Sequence, residues 1–272
     1  MRLGLYQLLA EISGDSACGA TGAVVSTGGN GQGELFGDSV PGEKQCPPPD
    51  KADIAIVAAA HASDGMNFAV LPPHACRLFE LSIDAFEAIV RAWMSELPVT
   101  AETIRYGQKI LAAANAATAD AQRQAAYTAA ADRGDADVRA VLEAAYKVWH
   151  EIHRLMGLLR FAPDTDGVYI AHCEPDHLTL PALGPHFRER FGQTPWAIID
   201  ERRRLGVSCS GASLEFFTID KNPAFSESQP NSEWENLWRN YHKTINNESR
   251  NNPNLQRRLM PQRYWKYLTE LT

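Results

Sequence analysis

The chain has 272 residues and an acidic balance, with a formal net charge of −7 and 44% hydrophobic residues. That is enough apolar material for a packed core, so wholesale disorder is excluded, and the length leaves room for one large domain or two small ones. No run of 18 apolar residues occurs, so no membrane-spanning helix is expected. Cys18, Cys46, Cys76, Cys173 and Cys209 are scattered without a CxxC. They make neither a disulfide framework nor a zinc ribbon, and a reducing cytoplasm is the expected location.

The charge is unevenly spread. Residues 1–144 hold 10 Lys/Arg against 18 Asp/Glu, a balance of −8, while residues 145–272 hold 16 against 15, a balance of +1. Residues 239–272 hold 7 basic and 2 acidic groups, a balance of +5. The total argues against a nucleic-acid binder, but the C-terminal segment by itself permits one.

Met1–Glu11 is a poor secretory signal and reads as the start of a helix. Residues 13–50 are rich in Gly, Ser and Pro, which makes 1–50 an N-terminal segment followed by a linker or long surface loop. Gly28, Gly29, Gly31 and Gly33 lack both the spacing and the GK[ST] ending of a phosphate loop. Residues 51–139 form a helical region. ADIAIVAAAH reads as a short helix or strand. Ser82 precedes a stripe of Ile83, Phe86, Ile89, Val90 and Trp93, and Pro98 ends that segment. Thr100 to Ala131 is Ala-rich and helical by propensity, and Arg133-Gly134-Asp135 is a turn.

The spacing then predicts a helix over 136–158. Val141, Ala145, Val148, Ile152, Leu155 and Met156 recur on one face. His150 points away from that stripe. His153 lies at its edge, on the flank of Trp149 and Gly157, facing a cleft beside the core.

After Arg160 the period changes. LLRFA, DGVYIAHCE, WAIIDE, LGVSCS and SLEFFTI read as short strands, with Asp166-Gly167 and Ser210-Gly211 as hairpin turns. The helix LPALGPHFRERF interrupts them. The order predicts an α+β protein: a helical N-terminal half, then an antiparallel β-sheet with flanking helices in the C-terminal half, residues 140–272. Near the end, Trp234, Leu237, Trp238, Tyr241 and Ile245 make an apolar stripe whose Trp234, Trp238 and Tyr241 are expected in the core. Asn252-Pro253 starts a short helix that Pro261 stops.

VWHEIHRLMGLLRF, EPDHLTLPALGPHFRERF, WAIIDERR and SRNNPNLQRRLMPQRYWKYLTE together resemble one bacterial family of unknown function, labelled probable DNA-metabolism or putative DNA-repair protein. The likeness is strong over residues 140–272 and looser over 51–139; Met1–Glu11 departs from the family's usual opening. Matching positions include His153, Arg160, Asp176, His177, His186, Arg203, Arg250, Arg263, Tyr264 and Trp265. The resemblance implies a radical-SAM protein as partner and, in some members, fusion to a uracil-DNA-glycosylase-like domain. It carries no catalytic mechanism.

Three constellations carry possible chemistry. His153, Asp176, His177 and His186 are candidate catalytic residues, because imidazoles beside a carboxylate suit acid–base work; which of Asp176 and His177 orients the other is open. No metal is expected. His150-Glu151-Ile152-His153 is one residue short of HExxH. Arg160, Arg203, Arg250, Arg263, Tyr264 and Trp265 are candidate nucleic-acid contacts, since Arg neutralises phosphates and flat rings stack on unpaired bases. Arg263-Tyr264-Trp265 reads equally as a C-terminal anchor on the sheet. Arg202-Arg203-Arg204 is a phosphate grip or an ordinary solvated turn. No cofactor is expected, because an iron–sulfur cluster needs a compact cysteine motif.

The expected function is therefore a nucleic-acid-binding accessory factor in DNA repair or DNA metabolism, with DNA and a radical-SAM protein as partners. Two alternatives stand beside it. One is an enzyme acting on a nucleobase or glycosidic bond through the His/Asp site. The other is a non-catalytic interaction subunit docking through its acidic helical half.

Overall fold

The computed structural model describes residues 4–14, 73–211, 213–219, 232–250 and 252–270. The Gly/Pro-rich linker, the ADIAIVAAAH element and the Trp234 side chain lie outside the described residues.

Helix α1 (Leu5–Ser13) buries Leu5, Leu8, Leu9 and Ile12, the spacing of one helical face. Gly14 ends it in the left-handed conformation, φ 76°, which a glycine adopts without penalty. Helices α2 (Pro73–Leu81) and α3 (Ile83–Met94) meet at Ser82, whose hydroxyl accepts from the Ala85 amide at 3.2 Å and caps α3. Phe86, Ile89, Val90 and Trp93 of α3 are buried as their spacing predicts; Ile83 is exposed.

The Ala-rich run is broken. Helix α4 (Thr100–Ala116) stops at Ala117, whose backbone is extended (φ −89°, ψ 157°). A 3-10 turn at Ala119–Ala121 then leads into α5 (Gln122–Ala131). Propensity favours one long helix, but folding α5 back buries Ala114, Ala126 and Ala130, and that packing outweighs the two lost turns. Helix α6 (Ala136–Leu158) is capped by Asp135, which accepts from the amides of Asp137 and Val138. Its Val138, Val141, Val148, Ile152 and Leu155 are buried in the core that α6 shares with α3 and α4. Each such fully buried aliphatic side chain is worth about 1.5–3 kcal/mol over exposure.

The C-terminal half carries a five-stranded sheet in the order β1 (Ala162–Pro163), β2 (Tyr169–Cys173), β3 (Trp196–Asp200), β4 (Leu205–Ser210), β5 (Ser213–Thr218). The fold is α+β, as expected, but the sheet is mixed. Strands β2 and β3 run parallel, with Tyr169 opposite Trp196 and Cys173 opposite Asp200, while the other three pairings are antiparallel. The reason is helix α7 (Leu180–Phe191) between β2 and β3. A helical crossover returns the chain to the same edge and makes the next strand parallel. All five residues of β3 are buried, as befits a central strand covered on both faces.

One core runs through both halves, joining α1–α6 to Leu183 and Phe187 of α7 and to Trp196, Ile198 and Val207 of the sheet. A smaller cluster of Ile170, Ala197, Ile199 and Ile219 covers the other sheet face. Helices α8 (Ser232–Ile245) and α9 (Pro253–Leu259) follow, then a 3-10 turn at Gln262–Tyr267. Asn252 caps α9 by accepting from the Leu255 amide at 3.0 Å. The expected core placement of Trp238 and Tyr241 does not hold. They are 37% and 53% exposed, because this face of α8 turns away from the main core.

Candidate functional site

The polar centre of the protein is Glu151, 3% exposed. It sits on the apolar face of α6, three residues after Val148 and four before Leu155. Its carboxylate accepts from the Asp176 and His177 amides at 2.8 Å each, from the Tyr264 hydroxyl at 2.5 Å and from Arg263 Nη2 at 2.9 Å. Burial by itself would raise this carboxyl, but the donors outweigh it and hold the group below the usual range. Burial and the Glu151 charge push the Tyr264 hydroxyl up.

Arg203 grips the same loop from the turn after β3. It donates to the carbonyls of Pro175 at 3.0 Å and Asp176 at 2.7 Å, and it pairs with Asp200 at 2.9 Å and Glu96 at 2.8 Å. Asp200 is completely buried, and burial raises its carboxyl although Arg203 offsets part of that cost. The Glu174–His177 loop is thus clamped from two sides. Most of these bonds run within the cluster, although Arg263 Nε is buried without a partner among the described residues, and together they form a clasp that fixes the loop and the C-terminal segment.

A separate cleft of about 790 Å³ opens between the end of α6, β2, α7 and the C-terminal segment. Phe161, Tyr169, Phe187, Phe191, Trp238 and Tyr267 give it aromatic walls. Phe161 lies 4.9 Å from Phe187 and 4.7 Å from Phe191, ring centre to ring centre. Arg160, Arg190 and Lys266 bring positive charge, and Asp164, Glu201 and Glu235 negative charge.

Arg160 is held by Glu270, Nη2 to Oε1 at 2.6 Å, and by the Gly157 carbonyl at 2.9 Å, and it lies 5.2 Å over the Trp238 ring. Burial would raise the Glu270 carboxyl, but Arg160 and the Trp238 indole N–H outweigh it. Lys266 pairs with Glu174 at 2.7 Å. Arg190 is exposed and makes no ion pair among the described residues. On the wall, His172 Nδ1 lies 3.1 Å from Glu201 Oε1, and the Tyr267 hydroxyl donates to Glu201 Oε2 at 2.6 Å. Burial and that bond push the Tyr267 hydroxyl up.

The structure divides the residues picked out from the sequence. Asp176, His177, Arg203, Arg263 and Tyr264 converge on the Glu151 clasp. His177 is 9% exposed, its Nδ1 accepts from the Glu96 amide at 3.3 Å, and burial lowers its imidazole. Tyr264 is 2% exposed and offers no ring face to a ligand. Trp265 is half-buried, with its indole N–H on the Met260 carbonyl. Arg160 lies in the cleft. His186 is half-buried against Phe187, and burial lowers its imidazole too. His153 is exposed and stacks on Trp149. Arg250 is exposed after α8. Among the described residues no hydrogen bond or ring contact joins His153, His177 and His186, which stand on α6, the 174–179 loop and α7. No group of three His, Cys, Asp or Glu suited to a metal occurs among the described residues.

Glu151 and the His172–Glu201–Tyr267 set escape a reading by residue type. Glu151 does leave a signal, a carboxylate at core spacing inside an apolar stripe. His172 leaves only its place on a strand.

Residues 110–270 match the model of a family described as a domain of unknown function, DUF4130. No curated protein and no solved structure matches the chain. The matched stretch holds α6, the whole sheet, the Glu151 clasp and every residue lining the cleft, and the chain belongs to the DUF4130 family.

Proposed function

We propose that the protein is a nucleic-acid-binding factor of DNA metabolism that receives one unstacked nucleotide in the cleft beside α6 and β2. The observation that carries this reading is the cleft itself: its aromatic walls, of which Phe161, Tyr169, Phe191, Trp238 and Tyr267 are at least partly exposed, with Arg160, Arg190 and Lys266 at its margin. Flat rings take bases of any sequence, and cations take the phosphate. The near balance of positive and negative groups suits a single nucleotide better than a long phosphate track, which demands a continuous basic groove. The basic C-terminal segment and the resemblance to proteins labelled as DNA-metabolism factors support the choice of DNA. That resemblance also supplies the expected partner, a radical-SAM protein.

Fluorescence anisotropy with single-stranded and duplex DNA across a salt series tests the proposal. Binding should favour single strands, and log K should fall with log salt by about 0.7 per phosphate contacted. Arg190→Ala should weaken binding and flatten that slope. Absence of salt-sensitive binding, with and without the radical-SAM protein, rejects the reading.

A second reading, an enzyme acting on a nucleobase or glycosidic bond, is favoured by one observation. The His172–Glu201 pair on the cleft wall has the form of an imidazole oriented by a carboxylate. Base release from DNA that disappears in His172→Ala would establish it.

A further inference from the structure

Along α6, three exposed rings pile on one another. Tyr146 is 59% and Trp149 45% exposed, and His153 is exposed beside them. Tyr146 and Trp149 lie 6.0 Å apart at 32°, and Trp149 and His153 are stacked at 5.6 Å and 12°. His150 meets Tyr146 and Trp149 edge-on. Spacings of three and four residues put the three rings on one face of the helix.

The next position on that face is Gly157. A Cβ built there meets nothing within 4 Å. Four residues advance the helix by about 6 Å, and a ring in contact needs about 3.5–4.0 Å. With no side chain at Gly157, the position after His153 on this face is open. Beyond it stands Arg160, a planar cation tied to the Gly157 carbonyl at 2.9 Å. Gly157 and Arg160 are both on the cleft lining, so the open position adjoins the cleft, whose lining also includes Arg190, without an ion pair among the described residues.

We infer that the open position at Gly157, next to the stacked Trp149–His153 rings and beside Arg160, is a subsite for one unpaired nucleobase. The site lies beside the nucleotide in the cleft and takes the neighbouring base of the same strand. This rests on the nucleotide-binding reading of the cleft and adds the strand's path across the protein. A flat base continues the ring pile, because every base offers a π-face to the next ring. Arg160 beside it, with its donors held by Glu270 and the Gly157 carbonyl, adds positive charge near the phosphate that links the two nucleotides.

The test uses full-length protein and short oligothymidylates carrying one 2-aminopurine, whose fluorescence falls when it stacks. Wild type should quench the probe on binding. His153→Ala should weaken binding about tenfold, as expected for loss of one stacked base. His153→Phe should restore it to within about twofold, because only the ring face matters. Gly157→Leu should fill that position and weaken binding at least about tenfold while leaving the melting temperature unchanged or higher, since the position is open and helical.

Wild-type affinity in both His153→Ala and Gly157→Leu, together with loss in Arg190→Ala, overturns the subsite and leaves the cleft reading standing. Loss of radical-SAM protein binding in the α6 variants, with DNA binding intact, overturns it in favour of a protein docking face. A wild-type protein that binds no oligonucleotide overturns both readings.

Discussion

Replacing Glu151 by Ala removes the acceptor for four donors at once. Two are backbone amides of the Asp176-His177 loop, one is the buried Tyr264 hydroxyl and one is Arg263 Nη2. A buried donor left unpaired costs about 1–3 kcal/mol, and breaking a buried ion pair by removing one partner costs about 3–5 kcal/mol. These overlap, and Arg263 is 35% exposed and still has Asp176 at 2.7 Å, so its share is discounted. The expected loss is about 4 kcal/mol, of which the loop amides and Tyr264 supply most. In a domain of this size that lowers the melting temperature by about 10 °C. Tyr264→Phe removes one charge-assisted bond and should cost about 1.5–3 kcal/mol. Glu143→Ala, at an exposed pair with Lys147, should leave the unfolding midpoint nearly unchanged. Urea unfolding followed by circular dichroism measures all three. A loss below about 1 kcal/mol in Glu151→Ala would refute the view that this carboxylate clasps the C-terminal segment to the core.

Other expectations follow from single contacts. Gly107→Ala and Gly157→Ala should have opposite signs in thermal melts. A Cβ at Gly107 comes within 2.5 Å of buried Ile12, which should cost about 1–3 kcal/mol, whereas Gly157 is open and should gain up to about 1 kcal/mol. Arg203→Ala leaves Asp200 buried without its main partner, so it should lose about 3–5 kcal/mol near neutrality. That deficit should shrink in acid as Asp200 takes up a proton; a deficit independent of pH argues against the pairing. His177 and His186 have imidazoles lowered from 6.5 by burial. Their contribution is complete above pH 6.5 and is lost as pH falls through the folded values, because the fold disfavours the charged form. Glu151, held below 4.5, adds a second loss at lower pH, while Asp200, with its carboxyl raised, works in the opposite sense. Stability measured against pH should therefore start to fall below 6.5, and His177→Gln should flatten that first limb.

Periodicity made much of the scaffold legible. The stripe of Val141, Val148, Ile152 and Leu155 marks α6, Ser82 and Asn252 mark helix starts, and the change from period 3.6 to period 2 after Arg160 marks the sheet. These signals are local, arising within one or two helical turns or a single strand. The α+β class follows from their order. The break in the Ala-rich run, the parallel β2–β3 pair and the exposed face of α8 depend on which elements pack together, and no local window contains that information.

The site divides along the same line. Sequence identified Arg160, Asp176, His177, Arg203, Arg263 and Tyr264 as a group worth watching and placed His153 on a flank with Trp149 and Gly157. By itself it assigned them roles from side-chain chemistry, as acids, bases and phosphate contacts. Tertiary structure decided which neighbours they meet. Burial turned Tyr264 and His177 inward, and it made the overlooked Glu151 the acceptor that ties together residues 26 and 113 positions apart along the chain. It also brought His172, Glu201 and Tyr267 to one wall. Residue type states what a group can do; only the distances and burial set by long-range packing decide which neighbours it does it with.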